Sequence, residues 1–350
     1  MRLVDFGAPT SLSVSLIRRF RPVIVLLSAG LMLAGCGVAG GTSSNSGASG
    51  GNQTLTVAAV PGVDVAPLYV ARKEGLFRQH GLNVTVVHYR SVASEIQALT
   101  HHRVDVAAGD YANFFYAESQ AKLPHHASLL RLIADGYDAA PGVVQVMTKP
   151  SSNISSPAQL EGKIIATPAP QAIPQSHTVP YSIEMMATEA VLQSEGLSAS
   201  GVTWDPMPQQ DMVAALRSGQ VDAILVTEPY ILQAETSLGA VPVLDSCSGV
   251  TSALPLLGYF SLNTYADGHS PAVQAFKSAL RQAQTASAMR APVETSLVSS
   301  GDISRQDAAL LTIGDYPTFL STSQVQRVAD LMYESGMINS PLSVQALVSR

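Results

Sequence analysis

The chain has 350 residues, 46% of them hydrophobic and 13% charged, with a formal net charge of −6 at neutral pH. That length is enough for a large core or for two lobes, and the acidic balance argues against a nucleic-acid partner, whose backbone demands cations. The two cysteines, Cys36 and Cys247, offer no metal-ligand spacing. If the first is consumed by processing, no intrachain disulfide remains.

The N-terminus reads as an export signal. Arg18, Arg19 and Arg21 precede an uncharged apolar run from Pro22 to Gly35, shorter than the roughly 20 residues that span a bilayer. Leu33-Ala34-Gly35-Cys36 matches the lipobox of bacterial lipoproteins. By that resemblance residues 1–35 are removed before Cys36, whose thiol receives a diacylglyceryl group. Arg18-Arg19 leaves both general and twin-arginine export open, although the following Phe20-Arg21 departs from the twin-arginine pattern. Losing the leader, with its four arginines and one aspartate, takes the net charge from −6 to −9. Residues 36–53, almost wholly Gly, Ser, Ala, Thr and Asn after the cysteine, bury too little apolar surface to fold and read as a flexible linker. The expectation is a body tethered by acyl chains to the outer face of the cytoplasmic membrane.

After the tether, Leu55 to Val60 predicts a strand, broken by Pro61-Gly62-Val63-Asp64 before a helix over Ala66 to Gln79. Asn83 to Tyr89 alternates as a strand, and a helix leads to the strand Val104 to Ala108. Leu129 to Ala134 and Val143 to Met147 add two more strands to a first α/β lobe with a mostly parallel sheet. Ser156, Pro157 and Gln159 form a capping-box pattern that opens a new unit. A strand over Lys163 to Thr167 follows, then a loop with prolines at 168, 170, 174 and 180. Ile183, Met186, Ala187, Ala190 and Val191 keep a helical stripe that Gly196 ends. Strands at 202–204, Val221 to Val226 and Val241 to Leu244 complete a second lobe. Leu256 to Leu262 is one more strand, and helices at 270, 292–299, 304–312, 322–335 and 342–349 return to cover the first. The expected division is 54–150 with 252–350 as lobe one and 151–251 as lobe two, with the two crossings making a hinge.

One phrase occurs twice: Ala98-Leu99 then Val104-Asp105, and Ala215-Leu216 then Val221-Asp222, an offset of 117 residues. Each copy runs from an apolar helical stripe into a β-branched strand, and each strand ends in a polar cluster, Gly109-Asp110-Tyr111 or Thr227-Glu228-Pro229-Tyr230. Ligands of open parallel sheets sit beyond the carboxyl ends of strands, so these clusters are where recognition is expected.

These residues, with Ala66-Pro67-Leu68-Tyr69-Val70-Ala71, Glu74-Gly75-Leu76-Phe77, Gly81-Leu82-Asn83-Val84 and Leu160-Glu161-Gly162-Lys163-Ile164-Ile165-Ala166, carry a resemblance. The chain resembles the nitrate, sulfonate and taurine branch of ABC-importer substrate-binding proteins, which shares its fold with thiamine-pyrimidine synthases. The resemblance implies an α/β fold of the periplasmic-binding-protein type 2, two lobes around a hinge and a cleft. It also implies a monomeric, cofactor-free receptor that passes a small molecule to an ABC permease with a cytoplasmic ATPase.

By position after strands, the expected ligand contacts are Val63, Asp64, Tyr89, Arg90, Asp110 and Tyr111 from one lobe. Gln171, Ser176, His177, Gln210, Thr227 and Glu228 come from the other. Asp64 and Asp110 also precede helices, where a carboxylate serves as a cap. A nitrate or sulfonate would suit helix N-termini and Arg90, whereas Asp64, Asp110 and Glu228 favour N–H donors or positive charge, such as an aminopyrimidine. His101-His102 and His125-His126 are adjacent pairs that share no helix face and read as solvated side chains. The competing classes are a pyrimidine-synthase-like enzyme, for which the chain lacks the cysteine-rich motif and cofactor lysine, and a ligand sensor uncoupled from transport.

Overall fold

The computed structural model describes residues 53–121, 128–168, 182–300 and 303–348. Cys36, the His125-His126 pair and the expected contacts Gln171, Ser176 and His177 lie outside them. The chain begins with β1 (Gln53–Ala59), α1 (Ala66–Lys73), α2 (Leu76–Gln79), β2 (Leu82–His88), α3 (Val92–Thr100), β3 (Val106–Asp110), α4 (Tyr111–Gln120) and β4 (Leu130–Asp138). It continues through β5 (Val144–Thr148), β6 (Ile164–Pro168), α5 (Ile183–Ser194), β7 (Thr203–Met207), α6 (Gln209–Ser218), β8 (Ala223–Thr227), α7 (Tyr230–Leu238) and β9 (Val241–Asp245). It ends with β10 (Pro255–Leu262), α8 (Asn263–Gly268), α9 (Ser270–Ser287), α10 (Arg290–Ser300), α11 (Arg305–Ala308), α12 (Thr322–Glu334) and α13 (Val344–Val348). The expected helix over 66–79 is two, because Gly75 adopts a left-handed φ of 70° that an α-helix cannot contain.

The strands form two five-stranded sheets in matching order, β2-β1-β3-β10-β4 and β7-β6-β8-β5-β9. In each, one strand runs against the other four: β10 between β3 and β4, β5 between β8 and β9. This corrects the expected place of Val143 to Met147, which was the first lobe. All five residues of β5 are buried, and the second sheet supplies a partner on both sides. The chain therefore crosses earlier than expected, over residues 139–143, and crosses back over 246–254.

Both crossings leave and enter at the same edge. β4 ends at Asp138 beside Pro255, and β5 starts at Val144 beside Thr227, so the carboxyl edges of the two sheets meet across the crossings. Ala139 N–H donates to the Leu254 carbonyl at 2.9 Å and Ser246 N–H to the Val144 carbonyl at 2.9 Å, which pairs the two segments. A third segment follows α11. The helix expected over 304–312 stops at Ala308, and the chain beyond it pairs Asp315 with Asp138.

The repeated phrase has a structural account. Asp105 accepts from Thr56 N–H at 2.8 Å and donates its own N–H to the Thr56 carbonyl at 2.9 Å. Asp222 treats Ile164 in the same way, at 2.9 Å in both directions. Each aspartate thus extends the ladder between the central strand and its neighbour by one carboxylate bond. The proline-started capping box at Ser156 yields only a short 3-10 turn, in which Gln159 Oε1 accepts from Ser155 N–H at 2.7 Å. The returning helices pack on the first sheet's side: Phe276 of α9 stacks on Phe77 of α2 at 5.6 Å between ring centroids.

Candidate ligand site between the sheets

At the carboxyl edge of the first sheet, β1 runs into Val63 and Asp64, and β3 ends in Asp110. Asp110 caps α4, accepting from Asn113 N–H at 2.9 Å and Asn113 Nδ2 at 2.7 Å. Asp64 accepts from Val65 N–H at 3.1 Å. Both keep some accessible surface, yet protein surrounds them closely enough to desolvate their carboxylates. Burial raises Asp64 to about 6, against its own backbone bonds and with a contribution from Glu184. Burial first, then Glu184, raises Asp110 to about 7.

Glu184 lies in the first turn of α5, which Ser182 caps by accepting from Met185 N–H at 3.2 Å. The two aspartates belong to the first sheet and α5 to the chain around the second. Groups from both lobes therefore come within electrostatic reach of one another here, and the second-lobe carboxylate among them is Glu184. Beside them lies Glu95, in the first turn of α3. It is 0% exposed, and neither carboxylate oxygen has a hydrogen-bond partner. Burial, then Asp64, holds its carboxyl well above the usual range, and the Val60 backbone N–H opposes that rise only in part.

The other expected contacts sit variously. Tyr111 is fully buried, its hydroxyl donating to Asp135 at 2.8 Å and its ring packed against Phe115 and Phe260, so it faces the core. Val63 is buried and presents its carbonyl to the Tyr316 hydroxyl at 2.6 Å. Tyr89 is half-buried and Arg90 exposed, beyond the edge strand β2. Gln210 is exposed; its neighbour Gln209 instead accepts from the Thr227 N–H at 3.3 Å and hydroxyl at 3.2 Å.

Glu228 is held by backbone, accepting from Leu232 N–H at 3.1 Å and from Thr312 N–H at 2.8 Å. Burial raises its pKa while those two bonds oppose the rise. The segment that holds it also donates Gly314 N–H to the Tyr137 hydroxyl at 2.6 Å, so residues 312–316 tie the end of β8 to the first sheet. Glu95, Glu184 and this third segment escaped the strand-end reasoning. A signal for Glu95 was nonetheless present, since the 117-residue repeat offset sets it opposite Met212.

Two sheets of one order, each with a single reversed strand exchanged across paired crossings, define the two-lobed periplasmic-binding-protein fold. The chain belongs to the NMT1-like family, which it matches over residues 48–294. It is similar in structure to the alkanesulfonate-binding protein SsuA from Xanthomonas axonopodis pv. citri bound to MOPS, with a TM-score of 0.67 and 19% identity over 85% of this chain and 98% of that one. The periplasmic aliphatic sulphonate binding protein SsuA from Escherichia coli gives 0.67 and 16% over 85% and 97%. The periplasmic nitrate-binding protein NrtA from Synechocystis PCC 6803 gives 0.64 and 14% over 84% of each chain. At these identities the likeness establishes the fold. Comparison with curated proteins gave no match.

Proposed function

We propose that this chain is the extracytoplasmic solute-binding component of an ABC importer, a receptor that encloses a small polar organic molecule between its lobes and hands it to a permease driven by a cytoplasmic ATPase. The observation that carries the reading is the convergence of Asp64 and Asp110 from one sheet's edge with Glu184 from the helix of the other. Groups contributed by both lobes bind a solute more tightly when the lobes are together, so the solute shifts the population toward the closed form. The sulfonate- and nitrate-binding neighbours support the same reading. Of the expected contacts, Val63 and Asp64 follow β1, Asp110 ends β3, and Thr227 and Glu228 lie at the end of β8.

Binding without catalysis is supported by Cys247, whose thiol burial and Asp245 push up to about 12, leaving it protonated and unreactive at neutral pH. A lipidated Cys36 would keep a monomeric receptor beside its permease. Small-angle scattering tests the central claim. Adding back the molecule released by heat denaturation, and identified by mass spectrometry, should shrink the radius of gyration. An unchanged radius at saturation removes the closure mechanism. For the anchor, Cys36→Ala should move the protein from membranes to the soluble fraction; retention through a high-salt wash places the anchor elsewhere.

A further inference from the structure

Resting on the receptor reading, we propose that the solute is a small organic cation bearing N–H donors, an ammonium, amidinium or guanidinium group, and that Glu95 is the buried carboxylate that receives it. Three observations converge. The first is Glu95 itself, fully buried with both oxygens unpartnered among the described residues. A buried carboxylate in that state is costly when ionised, and the backbone group that eases it, the Val60 N–H, offsets only part of the effect of burial.

The second is that the protein's own repeat shows the fold needs no carboxylate here. Glu95 stands 117 residues before Met212, which is equally buried on α6, and Gly109 stands opposite Val226 by the same offset. A Cβ on Gly109 would lie 2.5 Å from Phe114 Cε2 and 3.0 Å from Glu95 Oε2, so the glycine is the residue that leaves room for the carboxylate. The first lobe thus pairs a glutamate with a glycine where the second pairs a methionine with a valine.

The third is the direction of the field. Glu95 lies against the ends of β1 and β3, where it feels Asp64 and Asp110, and both of those feel Glu184 from the other lobe. The Tyr259 hydroxyl, fully buried and unpartnered, also feels Asp64. The mutual field already holds the carboxyls of Asp64, Asp110 and Glu95 up; a cation entering here pairs with them as they ionise, whereas an anion adds to the same negative field. Among the described residues no three His, Cys, Asp or Glu side chains are close enough together to hold a metal ion.

The test is a set of thermal melts at neutral pH with millimolar guanidinium, benzamidinium or cadaverine, beside nitrate and methanesulfonate. It is run on the full mature protein and on Glu95→Gln and Glu95→Met. At least one cation should raise the wild-type melting temperature while the anions do not. Titration calorimetry with that cation should show at least about a ten-fold weaker Kd for both variants, and the variants' own melts confirm that they fold. Three results overturn the proposal: stabilisation by an anion alone, a cation effect that survives in Glu95→Gln, or no shift with any cation. The first leaves the receptor reading intact. The last returns that reading to the scattering experiment with the co-purified solute.

Discussion

At the start of β3 and the start of β8 the two halves of this protein do the same thing, with Asp105 and Asp222 each bonding the backbone of a neighbouring strand in both directions. At the far ends of the same strands they part. The first half ends in Gly109-Asp110, with Glu95 beneath, while the second ends in Val226-Thr227, with Met212 beneath. A methionine in that place packs at no electrostatic cost, whereas a carboxylate there must be neutralised. One architecture has therefore been made polar in one lobe and apolar in its counterpart. Even the carboxylate nearest the apolar edge, Glu228, is spent on backbone donors of α7 and the Thr312 segment.

The harshest way to break this asymmetry is to write the second lobe's residue into the first. In Gly109→Val the new Cβ would meet Phe114 Cε2 at 2.5 Å, Glu95 Oε2 at 3.0 Å and Val92 Cγ1 at 3.1 Å. Two of these are core groups with nowhere to retreat, and overpacking of that kind costs about 3 kcal/mol, the upper part of its usual range. Urea denaturation should show the midpoint falling by a corresponding amount. An unchanged midpoint would mean that the strand end is looser than its contacts indicate.

A gentler test uses pH. The carboxyls of Asp64 and Asp110 sit at about 6 and about 7 when folded, above their unfolded values near 4. The folded state then holds more protons than the unfolded one across that interval, so stability falls as pH rises through it. Melting temperatures of the solute-free protein should decline from about pH 5 to about pH 8, with a loss of about 4 kcal/mol in stability. Glu95→Met should raise stability at the upper end and flatten the profile, because it removes a carboxyl that burial itself holds well above the usual range. A wild-type profile that holds level or climbs over this window would contradict the assignment.

The α/β alternation, the pairing of two units and the family were legible in the residues because they rest on local periodicity and on a phrase that recurs. What escaped is non-local. The five residues of β5 look alike whichever sheet takes them, and only the neighbours β8 and β9, far along the chain, decide. Glu228 is claimed by Thr312, 84 residues away. Tyr111 reads as part of a polar strand end, yet it occupies the first turn of α4, where the helix turns its ring onto Phe260 and its hydroxyl onto Asp135. Glu95 was hidden by its charge: it sits beside Ile96 and Leu99 on a helix whose buried face is wide, because α3 packs against both β3 and α4. Setting the two repeat copies in register exposes it, since a glutamate opposite a buried methionine is an anomaly that needs no coordinates to see.

The smallest expected effect concerns the end at which the two halves agree. Asp105→Ala and Asp222→Ala each delete one carboxylate bond to a strand N–H while leaving the backbone bond of the same pair. A bond of this kind contributes about 1 kcal/mol net. The two sites differ in what replaces it. The Asp105 bond to Thr56 is partly buried, so the orphaned N–H loses its partner in a place water reaches poorly, whereas Ile164, the partner of Asp222, is 38% exposed. Asp105→Ala should therefore cost more than Asp222→Ala in paired denaturation curves. The Asn variants, which keep an acceptor, should recover much of each loss. Because the two bonds lie in different sheets and share no partner, their losses should add in the double variant to within about 0.5 kcal/mol. Equal single losses would show that exposure does not govern this bond. A strongly non-additive double loss would mean that the two sheets respond to each other through the paired crossings even at the edge farthest from them.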